Sequence, residues 1–395
     1  MLANSIGSNF FFDENDSREI VVVLFLRGGM DGLNFLAPVD DSNYRDVRGG
    51  KVALTEQSLK INQEAANYDF RLHPMAEGLK ELYDNKSLAF IHAAGITNGT
   101  RSHFEAQDLM ELGSGGDKNI GQGWLSRYIQ SFHSGDIVPA YALGTNVPSS
   151  LLGAMEQVNL KEMKDMKLEI NPAMLSILAD MYSSGNSLVH RSGASALRNI
   201  EYIKAAMKEG MDLESYTPHS SANYLTEWPG DDLSRSFKTL AQLIKMEVGV
   251  KVATIDFDGW DMHDGQDWKF PKWTEALSRN LQAFYNDINA YHKNVTIVMM
   301  SEFGRRLRAN KNGGTDHGHG GVMMVLGGNV NGGKLYGTWP GLANGQLDNG
   351  VDLAVTTDYR TVLSELLVNR KLVTDFKPIF PKFSSYTSLG IIKRA

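Results

Sequence analysis

The sequence contains no cysteine. Disulfides and thiolate ligands are therefore excluded, and any metal must sit on carboxylate, imidazole, hydroxyl or amide groups. No apolar run approaches the roughly 18–20 residues that a membrane-spanning helix needs. Basic stripes are also missing: 39 Lys and Arg stand against 46 Asp and Glu, a formal charge of −7. Apart from the short Arg305–Lys311 cluster nothing resembles a nucleic-acid footprint, so no nucleic-acid partner is expected. The opening MLANSIGSNFFFDENDSREI has neither a basic n-region nor an apolar h-region. The chain as written thus reads as cytoplasmic, or as periplasmic if an export leader has been removed. There is no G-x-S-x-G elbow, and the glycine-rich RGGMDG of residues 27–32 fits neither dinucleotide nor P-loop spacing. An ordinary serine esterase and a nucleotide-loop enzyme are both disfavoured.

What is present is an alternation of strands and helices. Residues 20–26 (IVVVLFL), 88–93 (LAFIHA), 139–143, 252–257 (VATIDF), 295–300 (VTIVMM) and 322–326 read as strands buried on both faces. Helices are expected over 74–84 with Pro74 at its first position, from Ser102 onward, over 124–132, 233–248 and 271–292, and from an Asp358 cap through Val368. This pattern predicts an α/β fold: a doubly wound, mostly parallel sheet with helices on both faces. Residues 146–231 differ, being helix-prone and rich in Met, Ser and Lys. They are expected to form an insertion or cap within a single domain spanning 1–395, not sheet, and to set substrate specificity over the sheet edge.

Four loops that follow predicted strands hold the reactive side chains. They are 28–32 with Asp31, 97–103 with Ser102, 258–264 with Asp261 and His263, and 301–319 with Ser301, Glu302, Arg305, Asp316, His317 and His319. In a parallel sheet such loops emerge on one edge, where ligands bind. Each residue also has a plain structural role open to it. Asp31 can stabilise a glycine turn. Ser102, opening Ser102-His103-Phe104-Glu105, can be only the cap of a capping box, although a hydroxyl beside free helix N–H groups also suits a developing negative charge. His103 reads as a structural residue or one that orients a ligand. Asp261 with His263, and His317 with His319, are i, i+2 pairs whose side chains share a side on an extended segment, as converging metal ligands require. Arg305 is close enough to Glu302 to orient it or to hold an anion.

The motifs FLRGGMDGLN (25–34), RSHFEAQDLME (101–111), GWDMHDGQ (259–266), SEFGRR (301–306) and GGTDHGHGG (313–321) together resemble the bacterial DUF1501 proteins, placed within the alkaline phosphatase/sulfatase-like superfamily. The resemblance runs over residues 21–368. It implies an alkaline phosphatase-like α/β sandwich with metals at the carboxyl edge of the sheet. An acid after the first strand would be Asp31, and the nucleophile at a helix start Ser102. Asp261 and His263 would follow a later strand. An Asp-His pair after the next strand would fall on Glu302 and Phe303, and the last histidine on His317 or His319. Phe303 departs from that pattern, because a phenyl ring cannot ligate a metal; His317 and His319 together would have to replace it. Many members of the family also look like twin-arginine export substrates.

The expected function is a metal-dependent hydrolase of phosphate or sulfate esters, acting on a small-molecule or glycan ester. Ser102 would attack phosphorus or sulfur, while Asp31, Asp261, His263, Glu302, His317 and His319 would hold one or two divalent ions. Zinc is favoured by the mixture of imidazole and carboxylate, with manganese next. Arg101 or Arg305 would bind the ester's non-bridging oxygens. The alternative, favoured by Phe303, is a phosphatase-like scaffold that has lost catalysis and serves in binding or assembly.

Overall fold

The computed structural model describes residues 19–62, 67–131, 140–154, 157–166, 171–206 and 216–395. The chain opens on β1 (Ile20–Leu26) and the short helix α1 (Gly32–Phe35). A small antiparallel sheet follows from β2 (Leu36–Pro38), β3 (Leu59–Lys60) and β4 (Phe70–Leu72), with α2 (Ser42–Arg48) between its first two strands. Next come α3 (Glu77–Asp84), β5 (Leu88–Gly95), α4 (His103–Glu111), α5 (Trp124–Gln130), β6 (Ala140–Leu143) and β7 (Gln157–Leu160). Helices α6 (Pro172–Ser183), α7 (Leu188–Ala206) and α8 (Asp231–Lys245) lead to β8 (Val252–Phe257). After α9 (Gln266–Asp287) and β9 (Val295–Met300) the chain makes a hairpin of β10 (Arg305–Ala309) and β11 (Thr315–His317). It ends with β12 (Gly321–Gly327), β13 (Leu335–Tyr336), β14 (Thr357–Asp358) and α10 (Tyr359–Asn369).

Nine strands form the main sheet in the order β13-β5-β12-β9-β1-β8-β6-β7, with β14 also on β5. Every pairing is parallel except those of β12, which runs antiparallel to β5 and β9. The architecture is therefore α/β with a mostly parallel sheet. All seven residues of β1 are buried, and its two faces feed separate cores. Val22, Leu24 and Leu26 pack with α3, α8 and α9, whereas Val21, Val23 and Phe25 pack with α4, α5 and α10. Burying a Val or Leu contributes roughly 1.5–3 kcal/mol, so a continuous apolar run is stable only where helices cover both sides.

The structure differs from the sequence expectation in several places. Within 146–231, β7 is a true strand that extends the sheet beside β6; α6 and α7 pack on each other. The described residues of this segment make no hydrogen bond to the candidate site. Helix α9 begins at Gln266, before Pro271, because the buried Gln266 amide bonds to Asp31 and Thr315 and anchors an extra turn. The 301–319 tract is a hairpin, not a loop. The expected ends at Phe132 and Pro139 lie outside the described residues. Among the described residues no helix is long and apolar enough to cross a membrane.

Because β1, β5, β8 and β9 run in parallel, their following loops share one edge. Strand β12, running the other way, starts at that edge, so the hairpin that precedes it is delivered there too.

Candidate metal centre

Gly28 sets the geometry at the end of β1. Its φ is +116°, and a Cβ there would stand 2.4 Å from the backbone nitrogen of Asp261. Only glycine lets the loop after β8 cross so closely. The crossing is fixed by Trp260 N–H donating to the Arg27 carbonyl at 3.1 Å. It leaves Asp261 beside the first turn of α4 and the end of β11.

Three imidazoles meet there. His317 Nε2 lies 2.9 Å from both His103 Nε2 and His263 Nε2. The Asp261 carboxylate reaches the same three nitrogens at 3.1 Å (His317), 3.3 Å (His103) and 3.0 Å (His263). On the far side of each ring, Nδ1 faces an oxygen acceptor. For His103 this is Glu302 Oε1 at 2.8 Å, for His317 the Arg101 carbonyl at 2.9 Å, and for His263 Asp316 Oδ1 at 3.4 Å. An Nδ1 facing an acceptor carries the hydrogen, so a neutral ring turns its Nε2 lone pair toward the shared focus. Lone pairs 2.9 Å apart repel unless a proton or cation lies between them. Metal bonds of about 2.1 Å place neighbouring ligand atoms about 3.0 Å apart at right angles and about 3.4 Å apart at tetrahedral angles. The observed separations of 2.9–3.3 Å fit that range. His103, Asp261 and His317 therefore form a group that could hold a metal ion; His263 stands beside it, against His317 and Asp261.

The surroundings hold the two carboxylates in their charged forms. Burial pushes the Asp261 carboxyl up, but the hydrogen bond and charge of Arg305, with further help from His317 and His103, bring its pKa down to about 2. Glu302 is fully buried. It accepts from His103, from Gln107 Nε2 at 2.8 Å, from Gly28 N–H at 2.9 Å and from the Ser301 hydroxyl at 3.0 Å. Those bonds outweigh burial and keep its pKa below the usual carboxylate value. Its hydrogen bond raises the His103 pKa, against the opposing effect of burial. Burial, then the Arg305 charge, lower that of His317.

Of the residues expected at the site, Asp261, His263 and His317 converge, and Glu302 touches the focus only through His103. Asp31 does not join them. It caps α1, accepting from Leu33 and Asn34 N–H, and its second oxygen takes Arg48, Gln266 and Thr315, so its lone pairs are consumed by protein donors. His319 also points elsewhere, with Nδ1 on Asp348 at 2.8 Å and Nε2 on the Ile96 carbonyl at 2.9 Å. The chain leaves β11 at His317, so the alternation of an extended segment ends before His319 is reached. Gly318 passes so close to Arg305 that a Cβ would lie 2.4 Å from its carbonyl carbon.

Neither arginine is free for an ester. Arg101 is paired with Asp352. Arg305 is buried and donates to the carbonyls of Gly29, Thr315 and Gly28 and to Asp261 at 2.6 Å. Ser102 caps α4 by position, yet its side chain makes no capping bond; the Glu105 carboxylate instead accepts from Thr100. The Ser102 residue is exposed beside His103. Phe303 is buried, its ring 4.8 Å from that of His103 and 5.0 Å from that of His317. It backs both imidazoles with an apolar wall. His103, expected as a structural residue or one that orients a ligand, stands in the group that could hold a metal ion. Its signal is the i, i+4 spacing of His103 and Gln107, which places both on one face of α4, where both contact Glu302.

Comparison with known proteins adds the family. Residues 92–375 match the family described as "Protein of unknown function (DUF1501)", and the chain belongs to that family. No curated protein matches it. Among solved structures it is similar to the C-terminal periplasmic domain of EcEptC from Escherichia coli, at 8% identity and TM-score 0.41, over 95% of this chain and 90% of that one. It is also similar to BT1596, a 2-O GAG sulfatase, at 9% identity and TM-score 0.34, over 80% and 65%. A protein of the alkaline phosphatase superfamily from Vibrio parahaemolyticus is similar at 9% and 0.33, over 79% and 60%. All three TM-scores lie below 0.5, and the reading of the site rests on the residues of this chain.

Proposed function

We propose that this member of the DUF1501 family is a divalent-metal-dependent enzyme that cleaves phosphate or sulfate esters. One ion would be held by the Nε2 atoms of His103 and His317 and by the Asp261 carboxylate, with His263 beside them. The observation that carries this reading is the common focus of His103 Nε2, His317 Nε2 and the Asp261 carboxylate, both rings having Nδ1 facing an oxygen. Such pairing orients metal-ligating histidines and raises their basicity. The imidazole-rich donor set favours zinc, with manganese as the alternative. A bound divalent ion there would supply Lewis-acid polarisation of the ester.

The chain's own residues would do the rest. Arg305 holds Asp261 charged and in place, Glu302 fixes the His103 ring, and Phe303 keeps water from the rear of the site. The exposed Ser102 hydroxyl, at the start of α4, is the proposed nucleophile. An Oγ–phosphorus or Oγ–sulfur bond would form as the ester's P–O or S–O bond breaks, the serine proton ending on the departing alcohol. Water would then cleave the seryl ester to free phosphate or sulfate and restore the hydroxyl; the free N–H groups of the helix start lie beside the developing charge. Elemental analysis of purified protein tests the centre, with wild type compared against His317→Ala and Asp261→Ala. About one equivalent of zinc or manganese, lost in both variants, is expected. Ser102→Ala should keep the metal and lose ester turnover; full turnover in that variant would remove the serine from the mechanism.

The internal pairing of Arg101 and Arg305 favours a second reading, a binding protein on the same scaffold. Stoichiometric metal with no turnover of any phosphate or sulfate ester would decide for it.

A further inference from the structure

Two indoles stand in solvent near the candidate centre. Trp228 is 61% exposed and Trp268 49%, unusual values for so large an apolar surface. They flank one cation: Lys272 Nζ lies 5.7 Å from the Trp228 ring and 5.3 Å from the Trp268 ring. Trp268 and Lys272 are four apart on α9 and so share a face. Trp228 is braced edge-on by Trp273 at 5.0 Å, and the Trp273 N–H donates to the Asp258 carbonyl at 2.8 Å. Trp268 is seated on Gly265, where a Cβ would lie 2.5 Å from its indole nitrogen. Lys269 is neutralised by Asp264 at 2.6 Å. Lys272 makes no ion pair among the described residues.

We propose that the Trp228–Lys272–Trp268 cradle binds a saccharide bearing phosphate or sulfate groups, resting on the ester-cleaving reading above. A pyranose ring presents a flat C–H face that an indole covers without needing a groove. The anionic substituent then meets the unpaired ammonium between the two rings. An acidic peptide fits less well, because the indoles sit on a helix and a turn with no free strand edge to pair with peptide backbone. The cradle is also near the chemistry. Five residues separate His263 from Trp268, so their α-carbons are at most about 18 Å apart. One chain could occupy both sites.

Binding can be measured without turnover, by retardation of the protein in gels containing dextran sulfate or unsubstituted dextran, with tryptophan fluorescence as a second readout. Wild type is expected to be retarded by dextran sulfate, with or without prior treatment with a chelator. Trp228→Ala/Trp268→Ala should weaken this roughly tenfold or more, and the surface change Lys272→Glu should abolish it without touching the core. Equal retardation of wild type and both variants would overturn the proposal. So would equal affinity for unsubstituted dextran, or tighter binding of polyglutamate than of dextran sulfate. Since chelated protein is included, failure of the metal centre leaves this result readable by itself.

Discussion

Glu302→Gln is the sharpest probe of the site, because it changes one charge at nearly constant shape. The wild-type Oε1 receives Gly28 N–H, His103 Nδ1–H and Gln107 Nε2–H, while Oε2 receives the Ser301 hydroxyl. A glutamine can keep its oxygen in the first position and place its NH2 opposite Ser301. The serine hydroxyl can then donate to the Leu26 carbonyl, 2.6 Å away. The backbone N–H groups of Glu302 and Gly29 also donate to this carboxylate, so some stability should be lost, and a circular dichroism spectrum unchanged from wild type is the check that the fold survives. What is lost is the negative charge that makes His103 more basic. Removing such a partner typically lowers metal affinity 10- to 100-fold, about 1.4–2.7 kcal/mol. Titrating metal-free protein against a zinc chelator of known affinity measures this directly. Affinity within twofold of wild type in Glu302→Gln, and likewise in His103→Ala, would refute the assignment of His103 as a ligand backed by Glu302.

Other predictions concern stability. Asp31→Asn removes the carboxylate paired with the buried guanidinium of Arg48, which keeps only the carbonyls of Val52, Arg306 and Leu307, and should cost about 3–5 kcal/mol in urea denaturation while leaving metal stoichiometry intact; lost metal with stability retained would return Asp31 to the ligand set. Burial lowers the pKa of His73 and His92 from 6.5 to about 4, so the unfolded chain takes up these protons first. The stability they support is complete above about pH 6.5 and is lost as pH falls toward 4, about 2 kcal/mol per ring at pH 5. His92→Phe should remove about half of that acid sensitivity, and an unchanged slope of unfolding free energy against pH would contradict it.

The long strands were legible because their composition decides them. Residues 252–257 and 295–300 are apolar, β-branched runs, and both form strands with the expected bounds. Strand β7, with the sequence QVNL, carries no such signal. It exists because β6 offers an unpaired edge, a fact of assembly and not of local propensity. Part of the site was hidden for a similar reason. An aspartate in a glycine turn reads alike whether it caps or ligates; the partners that decide for Asp31, Arg48 and Gln266, lie 17 and 235 positions away. His103 looked like the neighbour of a more interesting serine, and only Glu302, 199 positions on, gives it a purpose.

The focus of imidazoles joins segments that are remote along the chain. His103 and His317 are 214 positions apart, and Asp261 and His317 are 56 apart. A chain without cysteine has no disulfide to close such loops, and an ion at this point would do so reversibly. Loop-closure entropy grows only by about 0.6 kcal/mol per doubling of length, so one ion can tie a long span almost as readily as a short one. Metal would then act as a cross-link between the start of α4 and the end of β11. Its withdrawal would loosen this edge while leaving the centre of the sheet intact, which makes local order there a gauge of occupancy.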